Sequence, residues 1–355
     1  MHRRSLIAAP LLLLASRALA QGEGGPAGPD TGSPIPAPAS PAPAVDRAAA
    51  LAPILDRAAG LEPLRTVLVA KDGERLVARG YSGGRVDRPT NIKSASKSLV
   101  SALVGIAIDK GVLEGPDQTV APLLRADLPA NPDPRMAEIT IGNLLSMQAG
   151  LERTSGATYG RWIASPNWVR AALNRPFVDA PGGAMLYSTG STHLLSAILT
   201  RASGRPTLAL AREWLGPIEG FAIASWARDP QGIYFGGNEM AMTPASLLAF
   251  AECCRKGGRN RAGLPVIPAR WLEESWRVRT QSRFTGDGYG YGWFTREMAG
   301  APVHYGWGYG GQMLYVAPER GVSLVMTSTV DAPSGRTGHR DDLHALAAAI
   351  LLALG

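Results

Sequence analysis

Segments with strand character lie towards both ends of this chain, and segments with helical character lie between them. Arg65 to Ala70 and Glu74 to Tyr81 read as two strands joined at Asp72-Gly73, a dipeptide that favours a tight hairpin turn. Met313 to Ala317 and Val322 to Thr327 read as strands near the other end, ahead of a closing helix from Asp341 to Leu354. From about Gly115 to Phe235 the spacing is helical at Ile141 to Met147, Pro166 to Leu173, Thr192 to Ala202 and Thr207 to Trp214, between loops rich in Pro and Gly. The order predicts an α+β fold: an antiparallel sheet assembled from both termini, flanked by helices and carrying an inserted all-helical domain. The α/β part then comprises residues 46–114 and 236–355, and the helical insertion residues 115–235.

Structure is expected to begin near Val45, where Ala48, Leu51, Ile54, Leu55 and Ala58 recur at helical spacing up to Gly60. Before that point the chain has another character. Residues 1–20 read as an export signal: Arg3 and Arg4 precede the apolar run Leu6 to Leu14, and Ala18-Leu19-Ala20 forms an A-x-A cleavage site. Arg3-Arg4-Ser5-Leu6-Ile7 also has the form of a twin-arginine signal, so both the general and the twin-arginine routes are open, to the periplasm or the medium. Residues 21–45 read as an extended linker, because Pro, Gly and Ala fill 17 of the 24 positions from Gln21 to Ala44. No later stretch reaches the roughly 20 apolar residues of a membrane helix, so no transmembrane segment is expected in the mature chain.

Without residues 1–20, 33 basic side chains face 29 acidic ones, a mild net charge of +4. The densest basic group, Arg255, Lys256, Arg259 and Arg261, is interrupted by Gly257-Gly258 and holds no aromatic residue for base stacking, so it reads as a solvated helix end and no nucleic-acid partner is expected. Cys253 and Cys254 are adjacent, which excludes an ordinary disulfide between them and a C-x-x-C metal clip. No metal site and no cofactor is expected.

Two motifs fit a pattern without its context, and a third falls short of one. Gly80-Tyr81-Ser82-Gly83-Gly84 matches G-x-S-x-G, but Arg85-Val86-Asp87-Arg88-Pro89 will not form the helix a nucleophile elbow needs. Gly306 to Gly311 matches G-x-G-x-x-G, but a strand follows it and not a helix. His339 and His344 are five apart and do not share a helix face; they read as a helix cap and surface polarity.

Ser94-Ala95-Ser96-Lys97 has its context. Thr90 and Asn91 supply capping residues, and Leu99, Val100, Leu103, Val104 and Ala107 mark a helix with a buried face, predicted from Ser94 to Lys110. Residues three apart share a helix face about 5–6 Å apart at Cβ, so the Lys97 amine can reach the Ser94 hydroxyl. Burial at a helix N-terminus disfavours the ammonium, and the Ser94 N–H is a donor that the helix start leaves free for an oxyanion. The bland alternative is a capping serine and a surface lysine.

Ser94-x-x-Lys97 resembles the first motif of serine β-lactamases and penicillin-binding proteins, and Tyr187-Ser188-Thr189 resembles the Tyr-x-Asn element of their class C branch. Leu144 to Leu151, Pro181-Gly182, His193 to Leu199, Tyr289-Gly290-Tyr291-Gly292-Trp293 and Trp307 to Gln312 extend the likeness over residues 46–355, in an order similar to class C-like esterases and 6-aminohexanoate-oligomer hydrolases. The resemblance implies a β-lactamase/penicillin-binding-protein-like fold and an acyl-enzyme on Ser94, with Lys97 and Tyr187 sharing proton transfer. Tyr187 beside a cationic Lys97 would have a lowered pKa and act as a phenolate base. The second oxyanion donor would be the N–H of Tyr309 or Gly310, on the strand after the Gly-rich turn.

Two departures shape the substrate expectation. Where β-lactamases and DD-peptidases have Lys-Thr/Ser-Gly this chain has Trp307-Gly308-Tyr309, so no cation awaits a substrate carboxylate. Thr189 replaces the Asn that orients substrate and lysine. Trp307, Gly308 and Tyr159 are the candidate substrate-binding residues, and a small ester or amide is the expected partner. A β-lactamase or D-alanyl-D-alanine peptidase, and a non-catalytic envelope binding module, are the rivals. Nothing in the sequence sets an oligomeric state.

Overall fold

The computed structural model describes residues 46–355; the expected signal and linker lie outside the described residues. Helix α1 (Arg47–Arg57) starts on the Asp46 carboxylate, which accepts the N–H groups of Ala48 and Ala49 at 3.1 Å, and buries Leu51 and Leu55. Strands β1 (Leu64–Lys71) and β2 (Glu74–Gly80) follow, joined through Asp72 and Gly73 at φ 52° and 92°. Two consecutive left-handed residues match the right-handed twist of a two-residue hairpin, which is why Asp-Gly stands there.

The chain continues through β3 (Thr90–Asn91), α2 (Ser96–Asp109), α3 (Ile141–Leu145), α4 (Tyr159–Ile163), α5 (Trp168–Leu173), α6 (Thr189–Ser203) and α7 (Thr207–Trp214). Next come β4 (Ser225–Trp226), β5 (Met240–Met242), α8 (Pro244–Arg255), α9 (Ala269–Trp276), β6 (Thr280–Gln281), β7 (Gly288–Tyr289), β8 (Phe294–Met298) and β9 (Ala301–Gly308). It closes with β10 (Gln312–Ala317), β11 (Val322–Ser328), α10 (Ser334–Thr337) and α11 (His339–Ala353).

The ends do meet in one sheet. Its eight strands run in the order β2-β1-β11-β10-β9-β8-β7-β6, with every pair antiparallel and Val67 opposite Met326 across β1 and β11. A small sheet, β3-β5-β4, ties the segment before Ser94 to the chain after residue 225.

Alternating side chains of the large sheet feed two cores. Leu68, Ala70, Leu314, Val316 and Val325 pack with α2, α8 and the helices between α2 and β4. Val67, Val69, Met313, Tyr315, Leu324 and Met326 pack on the other face under Leu51 and Leu55 of α1 and Leu343, Ala347 and Ile350 of α11. Helix α2 is buried at every position from Ser96 to Ala107, as befits a helix enclosed on all sides.

The sequence reading placed strands late in the chain only from Met313, yet β6 to β9 already extend the sheet from Thr280. Strands β6 and β7 are two residues long, and β9 is buried apart from Pro302 and Trp307, so neither displays alternation. His339 and His344 are also not surface residues: both are buried, His339 Nε2 at 2.9 Å from Ser328 Oγ and His344 Nδ1 at 3.0 Å from Tyr315 Oη. Ser82 sits at φ 46° in an exposed turn after β2, with no helix behind it.

Candidate active site

Between β3 and α2 the chain reverses through Lys93, a non-glycine residue at φ 51°. Such backbone costs about 1–3 kcal/mol and persists only where its surroundings over-determine it. Here the Asn91 side chain accepts the Lys93 N–H at 2.9 Å and donates to Glu239 Oε2 at 2.6 Å, while Lys93 Nζ reaches Glu239 Oε1 at 2.8 Å. Ser96 Oγ donates to the Lys93 carbonyl at 2.7 Å. The helix predicted to start at Ser94 therefore starts in two steps, a 3-10 turn over Lys93–Ala95 and then α2. Ser94 stands on the 3-10 turn, half-buried, with Lys97 one turn on.

Lys97 is buried, and its Nζ donates to Ser94 Oγ at 3.0 Å, to the Gly237 carbonyl at 2.8 Å and to Thr189 Oγ1 at 3.4 Å. None of these acceptors is a carboxylate. Burial without a counter-ion pushes the amine down to about 7, so near neutrality a large fraction is free to accept a proton. Thr189, read from sequence as the loss of an orienting amide, still reaches Lys97 through its hydroxyl, which in turn lies 3.0 Å from Ser155 Oγ.

Tyr187 is held from below by the loop after α3. Leu186 N–H donates to the Met147 carbonyl at 2.8 Å, and Gln148 Nε2 donates to the carbonyls of Gly182 and Gly183 at 2.9 and 2.7 Å. Met147 takes φ 62° in that loop. Thr154 and Ser155 cap α6: Gly190 N–H donates to Thr154 Oγ1 at 2.7 Å and Thr189 N–H to Ser155 Oγ at 2.9 Å. The Tyr187 ring stacks on Phe294 with centroids 6.1 Å apart, and Lys97 Nζ lies 5.0 Å from its centroid.

The expected phenolate is not what this environment favours. Burial raises Tyr187 to about 12, and the neighbouring Ser94 hydroxyl only partly opposes that. With Lys97 itself near 7, the cation that was to depress the phenol is weakened, and Tyr187 stands as a neutral donor.

Glycines let β9 lie against the Ser94 turn. A Cβ on Gly308 would fall 2.3 Å from the Ile92 carbonyl oxygen, and one on Gly306 would fall 3.0 Å from Ser98 Oγ. Gly292, at φ 78°, passes α2 in the same way and accepts Ser98 Oγ at 2.8 Å. Tyr309 belongs to the β9–β10 turn, ahead of β10 and not on it as the sequence reading had it, and Gly310 and Gly311 follow at φ 83° and 110°. Among the described residues neither Ser94 N–H nor Tyr309 N–H has a hydrogen-bond acceptor.

The remaining candidates lie around this centre. Trp307 points to the opposite side of β9 from Gly306 and Gly308; its N–H donates to Ser334 Oγ at 3.1 Å, Arg340 lies 5.2 Å over its ring, and Phe294 links it to Tyr187. Tyr159 Oη accepts from Asn238 Nδ2 at 2.8 Å, which places it beside the loop that holds Lys97, and burial raises it to about 12. The structure thus brings Ser94, Lys97 and Tyr187 into contact. It adds Gly237, Glu239, Thr154 and Ser155, which sequence reasoning missed, whereas Asn91, expected as a capping residue, does accept the Lys93 N–H. A backbone carbonyl leaves no mark in a sequence, and only the pair Gly236-Gly237 hinted at close packing. No group of three or more His, Cys, Asp or Glu residues that could hold a metal ion occurs among the described residues.

No curated protein matches the chain. Solved structures do: the hydrolase EstCE1, which has promiscuous acyltransferase activity, matches at TM-score 0.66 and 19% identity over 87% of this chain and 98% of its own. A D-stereospecific amidohydrolase from Streptomyces matches at TM-score 0.63 and 18% identity over 83% and 98% of the two chains. A β-lactamase from Mycobacterium bovis matches at TM-score 0.61 and 19% identity, over 85% and 99%. These likenesses show a β-lactamase-like fold. The Beta-lactamase family model matches residues 56–349, well over half of the sequence. With that match over the sheet, the helices and the Ser94-x-x-Lys97 turn, the chain belongs to the Beta-lactamase family and is a serine hydrolase of that superfamily.

Proposed function

We propose that this hydrolase cleaves small uncharged esters or amides through an acyl-enzyme on Ser94. The observation that carries the reading is Lys97 Nζ, buried, 3.0 Å from Ser94 Oγ and without a carboxylate partner. Lys97 takes the Ser94 proton as Oγ attacks the substrate carbonyl carbon. The tetrahedral oxyanion is received by the two free N–H groups, Ser94 and Tyr309. Tyr187 gives its proton to the leaving alcohol or amine and regains one from Lys97, so the C–O or C–N bond breaks as the acyl group stays on Ser94. Water attacks the ester carbon of the acyl-enzyme with its proton passing to the same pair, and Ser94 is released with its proton restored.

Small uncharged substrates follow from the charges. Lys97 is buried and turned to the Gly237 carbonyl, Lys93 is paired with Glu239, and Trp307 stands in the sequence where a cation would meet a carboxylate. A short acyl ester should therefore be hydrolysed faster than a chromogenic cephalosporin, and steady-state rates on the two compare them directly. Residues 115–235 are read as the helical insertion in an α/β body of 46–114 and 236–355, and residues 1–20 as a cleaved export signal. Intact-protein mass spectrometry after a fluorophosphonate tests the mechanism. One adduct mapping to Ser94 and absent from folded Ser94→Ala is expected; no adduct, or an unchanged Ser94→Ala, refutes it.

A further inference from the structure

His193 lies one turn into α6 with no solvent exposure, four residues after Thr189 and not touching Ser94. Its Nε2 is 3.0 Å from Asp229 Oδ2, and that carboxylate is also fully enclosed, its Oδ1 accepting the N–H groups of Gln231 at 2.8 Å and Ile233 at 2.9 Å. Trp162, Trp168 and Phe235 surround the imidazole edge-on. The other ring nitrogen, Nδ1, lies 3.3 Å from Gly236 N. A backbone N–H can only donate, so Nδ1 is the bare nitrogen, and Nε2 carries the proton that it donates to Asp229. The carboxylate thereby selects the tautomer, and the tautomer selects what the Gly236 peptide can do.

One peptide unit, Gly236–Gly237, separates that N–H from the carbonyl that holds the lysine. A Cβ on Gly236 would fall 2.2 Å from the Thr192 carbonyl oxygen, and one on Gly237, at φ 80°, would fall 2.9 Å from Lys97 Cγ. The two glycines let the turn after Phe235 press between α6 and Lys97, where the Gly237 carbonyl accepts Lys97 Nζ at 2.8 Å. We propose that the buried His193–Asp229 pair is a positioning device for the proton-transfer lysine: a bare Nδ1 offered to Gly236 N–H fixes the Gly237 carbonyl on Lys97 Nζ. The inference rests on the reading of Ser94 as nucleophile and Lys97 as its base.

The test is the rate at which a fluorophosphonate labels Ser94, measured against pH on the full chain. In Asp229→Asn the amide keeps an oxygen for Gln231 and Ile233 but turns an N–H towards Nε2. His193 must then carry its proton on Nδ1, facing the Gly236 N–H donor to donor, the tautomer inversion known from serine proteases. Labelling should slow by about 10- to 100-fold. Its acid limb should also move to lower pH, since the ammonium loses an acceptor while the flanking Lys93 and Glu239 are unchanged. His193→Gln keeps a donor to Asp229 but has no acceptor for Gly236 and should be equally slow. His193→Asn places Oδ1 where Nδ1 was and should recover most of the rate even if its melting temperature is lower, an order that a purely structural role would not produce.

Wild-type labelling rates and pH limbs in folded Asp229→Asn and His193→Gln overturn the proposal. Should these variants not fold, long-range 1H–15N NMR of the wild-type His193 side chain decides: a proton on Nε2 with a bare Nδ1 is expected, and a proton on Nδ1 overturns it. A wild type that takes no adduct on Ser94 is a different result, which overturns the nucleophile reading and the inference with it.

Discussion

The centre of the large sheet and the turn that carries Ser94 are both buried and both precise, but they are made precise by opposite means. Between β1 and β11 the register is set by ladder hydrogen bonds and apolar side chains: Leu68 and Val325 face one core, Val67 and Met326 the other, and all four are fully enclosed. Around Ser94 the positions are set by polar contacts on strained backbone. Lys93 and Glu239 both adopt left-handed φ, at 51° and 49°, and they pair with each other across the site. Lys97 is buried without a counter-ion. Apolar burial, at about 25 cal/mol per Å², stabilises the first region, whereas the second holds groups that folding alone would not place there. Changes in the two regions should accordingly separate stability from activity.

The largest effect should come from Lys97→Met. Hydrolysis should fall by about three orders of magnitude or more, the range expected for removal of a general base or an activating neighbour. Stability should respond in the other direction. Lys97 is near 7 when folded and 10.5 when free, so between those values the unfolded chain binds the extra proton. Wild-type stability should thus rise from pH 7 towards pH 9 by a few kcal/mol at most, and below pH 7 the lysine is most costly. Lys97→Met should remove that slope and be the more stable protein at pH 6, which urea titrations at pH 6, 7.5 and 9 would show.

Leu68→Ala, in the other region, should destabilise by about 2–5 kcal/mol through transfer and cavity terms. Its kcat per folded molecule should stay close to wild type. If kcat collapsed together with stability, the sheet centre and the Ser94 turn would not be separable.

Glu239→Gln gives the smallest effect and sharpens the contrast most. The amide keeps an acceptor for Lys93 or Asn91 but removes the charge pairing, and the pair is partly exposed, so stability should change by no more than about 1 kcal/mol. A kcat decrease of about threefold to tenfold with little change in KM is expected if this contact holds the Ser94 turn. A change in KM alone would place Glu239 in substrate binding instead.

What could be read beforehand follows the same division. Asp72-Gly73 between two apolar runs marked the β1–β2 hairpin because both turn residues must be left-handed, and the Ser94-x-x-Lys97 spacing marked two side chains on one helix turn. Lys93 at positive φ gave no such signal, since nothing in its side chain asks for that conformation; Asn91 and Glu239, the latter 146 residues from Lys93, impose it. A lowered Tyr187 pKa presupposes a charged lysine beside an accessible phenol, and the burial of Tyr187 itself, with Lys97 lowered to about 7, reverses it. Two-residue strands and carbonyl acceptors such as Gly237 are likewise products of tertiary packing and not of local composition.

The central claim is that Lys97 is a neutral base for Ser94 close to pH 7. The most direct measurement is the second-order rate constant for inactivation by an uncharged fluorophosphonate from pH 5 to 9, with the protein's fold followed by circular dichroism in the same buffers. The rate should rise about tenfold per pH unit and level off at an apparent pKa of about 7. A rate that is flat across the range while the protein stays folded would contradict it.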